Sequence, residues 1–166
     1  MIFNTSLGGF FPVPTSEEPS EAEGLPKVIV VESDVEVLGP LAQLVFLLSG
    51  SEVICMDSAD DGMALLSNLS DKGQLNQVAL VLTCLQMNGN GSMDGLAFER
   101  WLRLIGIPCC VICNGLNGRE DFASYCDLVL EETSQAFRLQ KAGMILVRPF
   151  GAEEIRMILI KYCFLS

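Results

Sequence analysis

The chain has 166 residues, half of them hydrophobic, and carries a formal net charge of -11 with no histidine. The length indicates one domain with enough apolar side chains to bury a core. The acidic balance argues against nucleic acid or an anionic membrane as a partner, because both bind clustered Lys and Arg. Without histidine the chain lacks the usual general base and metal ligand, so we do not expect an enzyme.

Seven cysteines are scattered along the chain. Their odd number, without a recognisable export signal, does not indicate a disulfide framework, so we expect a cytoplasmic location. The longest apolar stretch, around residues 38–48, is well short of the roughly 20 residues that cross a bilayer. We therefore expect no membrane segment.

The chain divides into two parts by composition. Residues 1–25 mix Gly, Pro, Ser, Thr and Glu without periodicity, which predicts a flexible N-terminal tail. Residues 26–166 are predicted to form the folded domain, in which five short apolar runs have the character of buried strands. These strands are predicted at 27–31, 52–56, 78–82, 109–113 and 144–147.

The segments between the predicted strands have apolar residues at helical spacing. Asp34 can cap a first helix that ends at Gly50, although Gly39-Pro40 indicates a later start or a kink. Further helices are predicted at 59–69, 94–104, 134–142 and 152–162. Strands that alternate with helices predict an α/β fold, a doubly wound parallel sheet with helices on both faces. In small doubly wound domains the common strand order is the flavodoxin-like 2-1-3-4-5.

Short motifs lie at the ends of these predicted strands. They are Val31-Glu32-Ser33-Asp34, Leu82-Thr83-Cys84-Leu85-Gln86-Met87 with Met93-Asp94-Gly95, Ile107-Pro108, and Ala142-Gly143 with Arg148-Pro149-Phe150. In their order and placement they resemble the receiver domains of response regulators, the CheY-like family, over residues 27–163. The resemblance implies a five-stranded flavodoxin-like sheet and a part in phosphorelay signal transduction, as in two-component systems.

The sequence departs from this family at the positions that carry its chemistry. The resemblance places the phosphorylation pocket at Glu32, Ser33, Asp34, Cys84, Cys113 and Arg148. Cys84 stands at the phosphoryl-acceptor position, where a thiol can neither form an acyl phosphate nor offer Mg²⁺ a hard oxygen. Ser33 replaces the second acidic residue, Cys113 replaces Ser or Thr, and Arg148 keeps the charge of the family's Lys. The pocket is therefore predicted to be vestigial, with no cofactor and no metal site.

Several of these side chains have more than one interpretation. Glu32 and Arg148 are expected to form an ion pair in place of the metal, the alternative being a retained site for a small anion or metal. Asp94 is interpreted as a helix cap rather than a substitute acceptor. Cys110 and Cys113 are three apart in a strand and so are expected to face opposite sides of the sheet, as core residues.

These observations predict a pseudo-receiver, a signalling module that binds other signalling proteins and is not phosphorylated on Asp. In the family the usual contact face is built by the fourth helix, the fifth strand and the last helix, which here means the region after Asn114 and residues 152–162. The sequence does not indicate an oligomeric state. The alternatives are a thiol redox sensor that uses Cys84 and Cys113, or a small flavodoxin-like cofactor-binding protein. The acidic segment Glu32-Ser33-Asp34 after the first strand would repel a flavin phosphate, which argues against the second alternative.

Overall fold

The computed structural model describes residues 24–85, 87, 93–113, 145–148 and 150–164. The predicted helix at 134–142 and nearly all of the predicted tail lie outside this part of the chain. The tail and the domain boundary therefore stay predictions.

Five parallel strands form one sheet in the order β2-β1-β3-β4-β5, which confirms the predicted fold class. The strands are β1 (Lys27–Val31), β2 (Glu52–Met56), β3 (Val78–Cys84), β4 (Cys109–Cys113) and β5 (Ile145–Val147). Strand β3 runs two residues beyond its prediction, because Thr83 and Cys84 continue the pairing with Val111 and Ile112 of β4.

Four helices connect or follow these strands within the described residues. They are α1 (Val35–Ser49), α2 (Ala59–Asp71), α3 (Gly95–Leu104) and α4 (Ala152–Leu159). A 3₁₀ turn at Leu75–Gln77, which was not predicted, precedes β3. Helix α4 passes into a π-helical turn at Ile160–Phe164, where an uninterrupted helix was predicted.

Helix α1 begins at the first position that its cap allows. The side chain of Asp34 accepts a hydrogen bond at 3.0 Å from the backbone N–H of Glu36, which fixes the first turn. The predicted cap at Asp34 is thus confirmed, and the alternative of a later start at Gly39-Pro40 is wrong, because Pro40 lies inside the helix and removes only one intrahelical donor. Gly50 ends the helix with φ 64°, in the left-handed region that glycine tolerates, as predicted.

The core consists of two layers, one on each face of the sheet. Alternate residues of β1 point to opposite faces, so Val28 and Val30 belong to one layer while Ile29 and Val31 belong to the other. The first layer packs under α1 and α4, and its buried helical members include Leu41, Val45, Ile155 and Leu159. The second layer packs under α2 and α3, and its buried helical members include Leu66, Leu69, Phe98 and Leu102.

No helix in the described part of the chain is both long enough and apolar enough to cross a membrane.

Candidate functional site

The candidate site lies at the carboxyl edge of the parallel sheet. Glu32 follows the last residue of β1 and Arg148 follows the last residue of β5, while Cys84 and Cys113 end β3 and β4. Parallel strands end at one edge, and the crevice there is where doubly wound sheets bind ligands. The fold thus brings the predicted pocket residues to the same edge.

An ion pair between Glu32 and Arg148 occupies this edge. Arg148 Nη2 donates to Glu32 Oε2 at 2.6 Å, with the glutamate side chain 3% exposed and the arginine side chain 27% exposed. Backbone bonds hold both residues in place, since Glu32 N–H donates to the Met56 carbonyl at 3.0 Å and Arg148 N–H donates to the Cys113 carbonyl at 2.9 Å. The contact predicted between these two residues is therefore confirmed.

The carboxylate of Glu32 divides its two oxygens between two partners. Oε2 accepts from Arg148, whereas Oε1 accepts the backbone N–H of Asp34 at 3.0 Å. The second bond forms because the chain bends immediately after β1 and turns this N–H back toward Glu32. A buried carboxylate needs such partners, and here both of its oxygens are engaged.

The other residues after β1 do not share the position of Glu32. The side chain of Asp34 is committed to the cap of α1, so its carboxylate serves the helix N-terminus. Ser33 lies in the bend between the two acidic residues and is partly buried.

Cys84 and Cys113, at the ends of β3 and β4, are both buried, but the sheet register directs their side chains to opposite faces of the sheet. Cys84 is 6% exposed and Cys113 is 2% exposed. Cys84 lies in register with Ile112, whose side chain belongs to the layer under α1 and α4, whereas Cys113 belongs to the opposite layer. The thiol of Cys113 donates to the Leu146 carbonyl at 3.6 Å.

Cys110 and Cys113, which were predicted to face opposite sides of the sheet, do lie on opposite sides. Cys110 belongs to the layer under α1 and α4 and Cys113 to the layer under α2 and α3, which confirms that they point to opposite faces. Burial raises the pKa of the Cys110 thiol to about 12. A thiol in this state is a small core side chain and a poor nucleophile.

Helix α3 begins directly against the end of β3. A Cβ atom at Gly95 would lie 2.0 Å from the carbonyl oxygen of Cys84, so only glycine allows this approach. Asp94 caps the helix by accepting the Ala97 N–H at 2.6 Å, and its predicted role as a cap is confirmed. No role was predicted for Gly95, although it belongs to the Met-Asp-Gly motif.

A further carboxylate near this edge was also missed. Asp60, in the first turn of α2, accepts the backbone N–H of Met93 at 3.2 Å and so joins α2 to the segment before α3. The residue lies in an ordinary helix N-terminal position, where acidic residues are frequent for other reasons. Its sequence context therefore held no signal of this contact.

The oxygens present at this edge do not fit Mg²⁺. That ion needs hard oxygens in near-octahedral geometry, but both oxygens of Glu32 are engaged, Asp34 caps a helix, and Cys84 offers a soft sulfur. Within the ranges that the structure describes, no group of three or more His, Cys, Asp or Glu side chains is arranged to hold a metal ion.

The fold is that of receiver domains, as comparison with solved structures shows. A response-regulator receiver domain protein from Clostridium thermocellum superposes with a TM-score of 0.60 at 17% identity, covering 84% of this chain and 95% of that one. The receiver domain of NtrX from Brucella abortus gives 0.56 at 18% identity, covering 84% and 99%. A CheY-like receiver domain protein from Methanospirillum hungatei JF-1 gives 0.55 at 15% identity, covering 83% and 93%. No protein-family model and no curated protein matches the sequence.

Proposed function

We propose that the chain is a receiver-like signalling module that acts through protein contacts in a phosphorelay-type pathway and is not phosphorylated on Asp. The observation that carries this proposal is the ion pair of Glu32 with Arg148, at the edge of the sheet where this fold binds its ligands. The arginine already has an anion, so it does not wait for a phosphoryl group. We place the module in the cytoplasm, with other signalling proteins as its partners.

The residue at the end of β3 supports the same conclusion. Phosphoryl transfer needs an acceptor oxygen and positive charge arranged around the transferred group. Cys84 supplies a buried thiol instead of a carboxylate, and the one cation at this edge among the described residues is held by Glu32. Among the residues that the structure describes, phosphorylation thus lacks its acceptor carboxylate, a set of metal ligands and an available cation at this edge.

The ion pair also has a consequence for signalling. In a phosphorylated receiver the state of the pocket changes with the phosphoryl group, whereas an internal ion pair is always present. The module would therefore present one constant surface, and its regulation would depend on the concentration of its partners. It would have no catalytic activity of its own.

Treatment with acetyl phosphate and Mg²⁺, followed by intact-mass measurement of acid-quenched protein, tests the proposal. We expect no phosphoryl adduct on the wild type under conditions that fully modify a phosphorylatable receiver run in parallel. A hydroxylamine-sensitive phosphoryl adduct mapped to Asp34 or Asp94 would contradict the proposal.

A reconstructed pocket makes the negative result informative. The variant Ser33→Asp with Cys84→Asp and Arg148→Lys restores an acid pair, an acceptor and a compact ammonium group. We expect this variant to gain an adduct, while Cys84→Ser, which restores an oxygen without a carboxylate, stays unmodified.

A redox sensor that uses Cys84 and Cys113 is less well supported, because the sheet register directs the two side chains to opposite layers. A purified protein without visible absorption would argue equally against a flavin-binding role. Mild oxidation followed by thiol counting would detect a bond between the two cysteines.

A further inference from the structure

Helix α1 exposes more large apolar side chains than the other described helices, with Val35, Phe46 and Leu47 exposed, against, among the described side chains, Leu104 alone on α3 and Met157 alone on α4. The exposed residues recur every three to four positions and so form one line along the helix. We call this surface the α1 stripe, and it consists of Glu36, Gly39, Pro40, Gln43, Phe46 and Leu47. Phe46 is 54% exposed and Leu47 is 70% exposed.

Charge is nearly absent from the α1 stripe. Glu36 is its one charged residue, whereas the exposed side of α2 carries Asp61 and Asp71 and that of α4 carries Glu153 and Arg156. In a chain with a net charge of -11, this is a departure from the rest of the surface. A helix that is apolar on all sides is typical of one that is covered on all sides.

We propose that the α1 stripe binds the α1 stripe of a second copy of this chain, with the two helices antiparallel about a twofold axis at Gln43. The stripe has two small or flat residues toward one end, Gly39 and Pro40, and two large ones seven positions later, Phe46 and Leu47. An antiparallel pair centred on Gln43 sets Leu47 of each copy against Gly39 of the other, and Phe46 against Pro40. A self-complementary surface of this kind is what a twofold interface requires.

The surface around Gly39 is open enough to receive a side chain. A Cβ atom built at Gly39 would have no heavy atom within 4 Å, apart from its own helix and chain neighbours. Glycine inside a helix is less favourable than alanine, and it leaves the backbone accessible to close approach. Leu47 of the second copy is long enough to cover this exposed stretch of backbone.

The single charge of the stripe selects the antiparallel arrangement. Glu36 lies seven positions from Gln43, so in an antiparallel pair the two carboxylates lie at opposite ends, roughly 20 Å apart. That separation exceeds the Debye length of about 8–10 Å at physiological salt. A parallel pair would instead bring the two carboxylates side by side.

Because one helix supplies the whole contact, the interface is small, and we expect a weak dimer that depends on concentration. Sedimentation equilibrium of the full chain over the micromolar to submillimolar range measures this directly. The weight-average mass of the wild type should rise toward twice that of one chain. Leu47→Glu and Gly39→Lys should each raise the dissociation constant at least about tenfold, because a twofold interface contains each substitution twice.

The control and the fold check use exposed positions. Ala64→Glu adds the same charge as Leu47→Glu on the exposed side of α2 and should leave the dissociation constant unchanged. Both stripe variants should keep the melting temperature of the wild type within a few degrees, since neither removes a buried contact.

An equimolar mixture of Leu47→Glu with Gly39→Lys tests the register. In the mixed dimer the introduced carboxylate faces the introduced ammonium group, and the other end of the stripe is unchanged, so the mixture should associate more tightly than either variant alone. A mixture that associates no more tightly than its components would overturn the proposed register. A wild type with the mass of one chain at every concentration would overturn the dimer and would leave residues 1–23 or another protein as the occupant.

Discussion

Two buried carboxylates in this molecule each contact an arginine, but they do so in different ways. Glu99 and Arg103 lie four positions apart on α3, and the arginine contacts both oxygens of the glutamate at 2.7 Å and 2.8 Å. Glu32 and Arg148 lie 116 positions apart and share one contact of 2.6 Å. The local pair has the more complete geometry, whereas the distant pair connects the strands β1 and β5 across the edge of the sheet.

The exposure of the two arginines decides what each pair contributes. The side chain of Arg103 is 50% exposed, so water solvates it with or without Glu99. The side chain of Arg148 is 27% exposed, and its glutamate is almost fully buried. Loss of the glutamate therefore leaves a largely buried guanidinium group without its anion at the candidate site, whereas on α3 it leaves one that water half surrounds.

The largest effect is expected from Glu32→Gln. This substitution leaves Arg148 without its anion and should lower the free energy of unfolding by about 1–3 kcal/mol, as measured by urea denaturation. In Glu32→Gln combined with Arg148→Met, the cost should be less than the sum of the two single costs, because the residues interact directly. Strict additivity would mean that the contact contributes nothing, and a bound anion should then be sought at Arg148.

A pH effect of intermediate size is expected from the buried thiols Cys109 and Cys110 of β4. Burial raises the pKa of Cys109 well above its ordinary value of 9.0, with smaller contributions in the same direction from Cys110 and Glu99 and an opposing one from Arg103. A raised folded-state pKa means that stability is fully present below about pH 9 and is lost as the pH rises toward the folded-state value. Each such thiol changes the free energy of unfolding by up to about 1.4 kcal/mol per pH unit.

Urea denaturation from about pH 8 to about pH 10.5 measures this loss of stability, because that range brackets the ordinary pKa of a thiol. Cys109→Ala and Cys110→Ala should each make the free energy of unfolding fall less steeply as the pH rises. This holds even if the substitution itself lowers stability at every pH. The comparison variant is Cys55→Ala, because Cys55 of β2 is exposed and burial raises the pKa of its thiol less than that of Cys109, so its removal should flatten the decline less. An equal decline in all four proteins would show that the buried thiols do not cause it.

A smaller effect is expected from Glu99→Gln. The amide can still accept a hydrogen bond from Arg103, which keeps much of its solvation, so the loss should be about 1 kcal/mol or less. The same urea measurement gives the value. A loss of unfolding free energy as large as that of Glu32→Gln would mean that Arg103 depends on its glutamate as much as Arg148 does.

The smallest effect is expected from salt. Raising the NaCl concentration to about 0.5 M shortens the Debye length to a few ångströms and should weaken the coupling of Glu99 with Arg103 by a few tenths of a kcal/mol. The coupling of Glu32 with Arg148, from the same double-mutant cycle, should change less because the contact is more buried. Equal salt sensitivity of both couplings would argue that Arg148 is solvated as well as Arg103.

The sequence predicted most of the fold because its strands are short apolar runs with clear ends. The bounds of β1, β2 and β4 agree with the prediction, and the strand order followed from the flavodoxin-like pattern. The start of α1 followed from the cap at Asp34, and the alternative of a later start did not occur because the helix continues through Pro40. The π-helical turn at Ile160–Phe164 was missed because such turns depend on tertiary packing.

The candidate site was predicted in its main contact but not in its details. The resemblance to receivers placed Glu32 near Arg148, and the structure agrees. The bond from Asp34 N–H to Glu32 depends on backbone angles in the bend after β1, which no sequence pattern specifies. The opposite facing of Cys84 and Cys113 depends on the register between β3 and β4, which a single sequence does not contain.

The distance of 116 positions between Glu32 and Arg148 also has a consequence for how the domain is made. During synthesis, Glu32 leaves the ribosome long before β5 exists, so the carboxylate that will be buried has no arginine for most of that time. Contacts between residues this far apart carry a high loop-closure cost and form late in folding. The candidate site is thus completed only once β5 has joined the sheet that contains β1, and a nascent chain that stops short of β5 lacks the ion pair altogether.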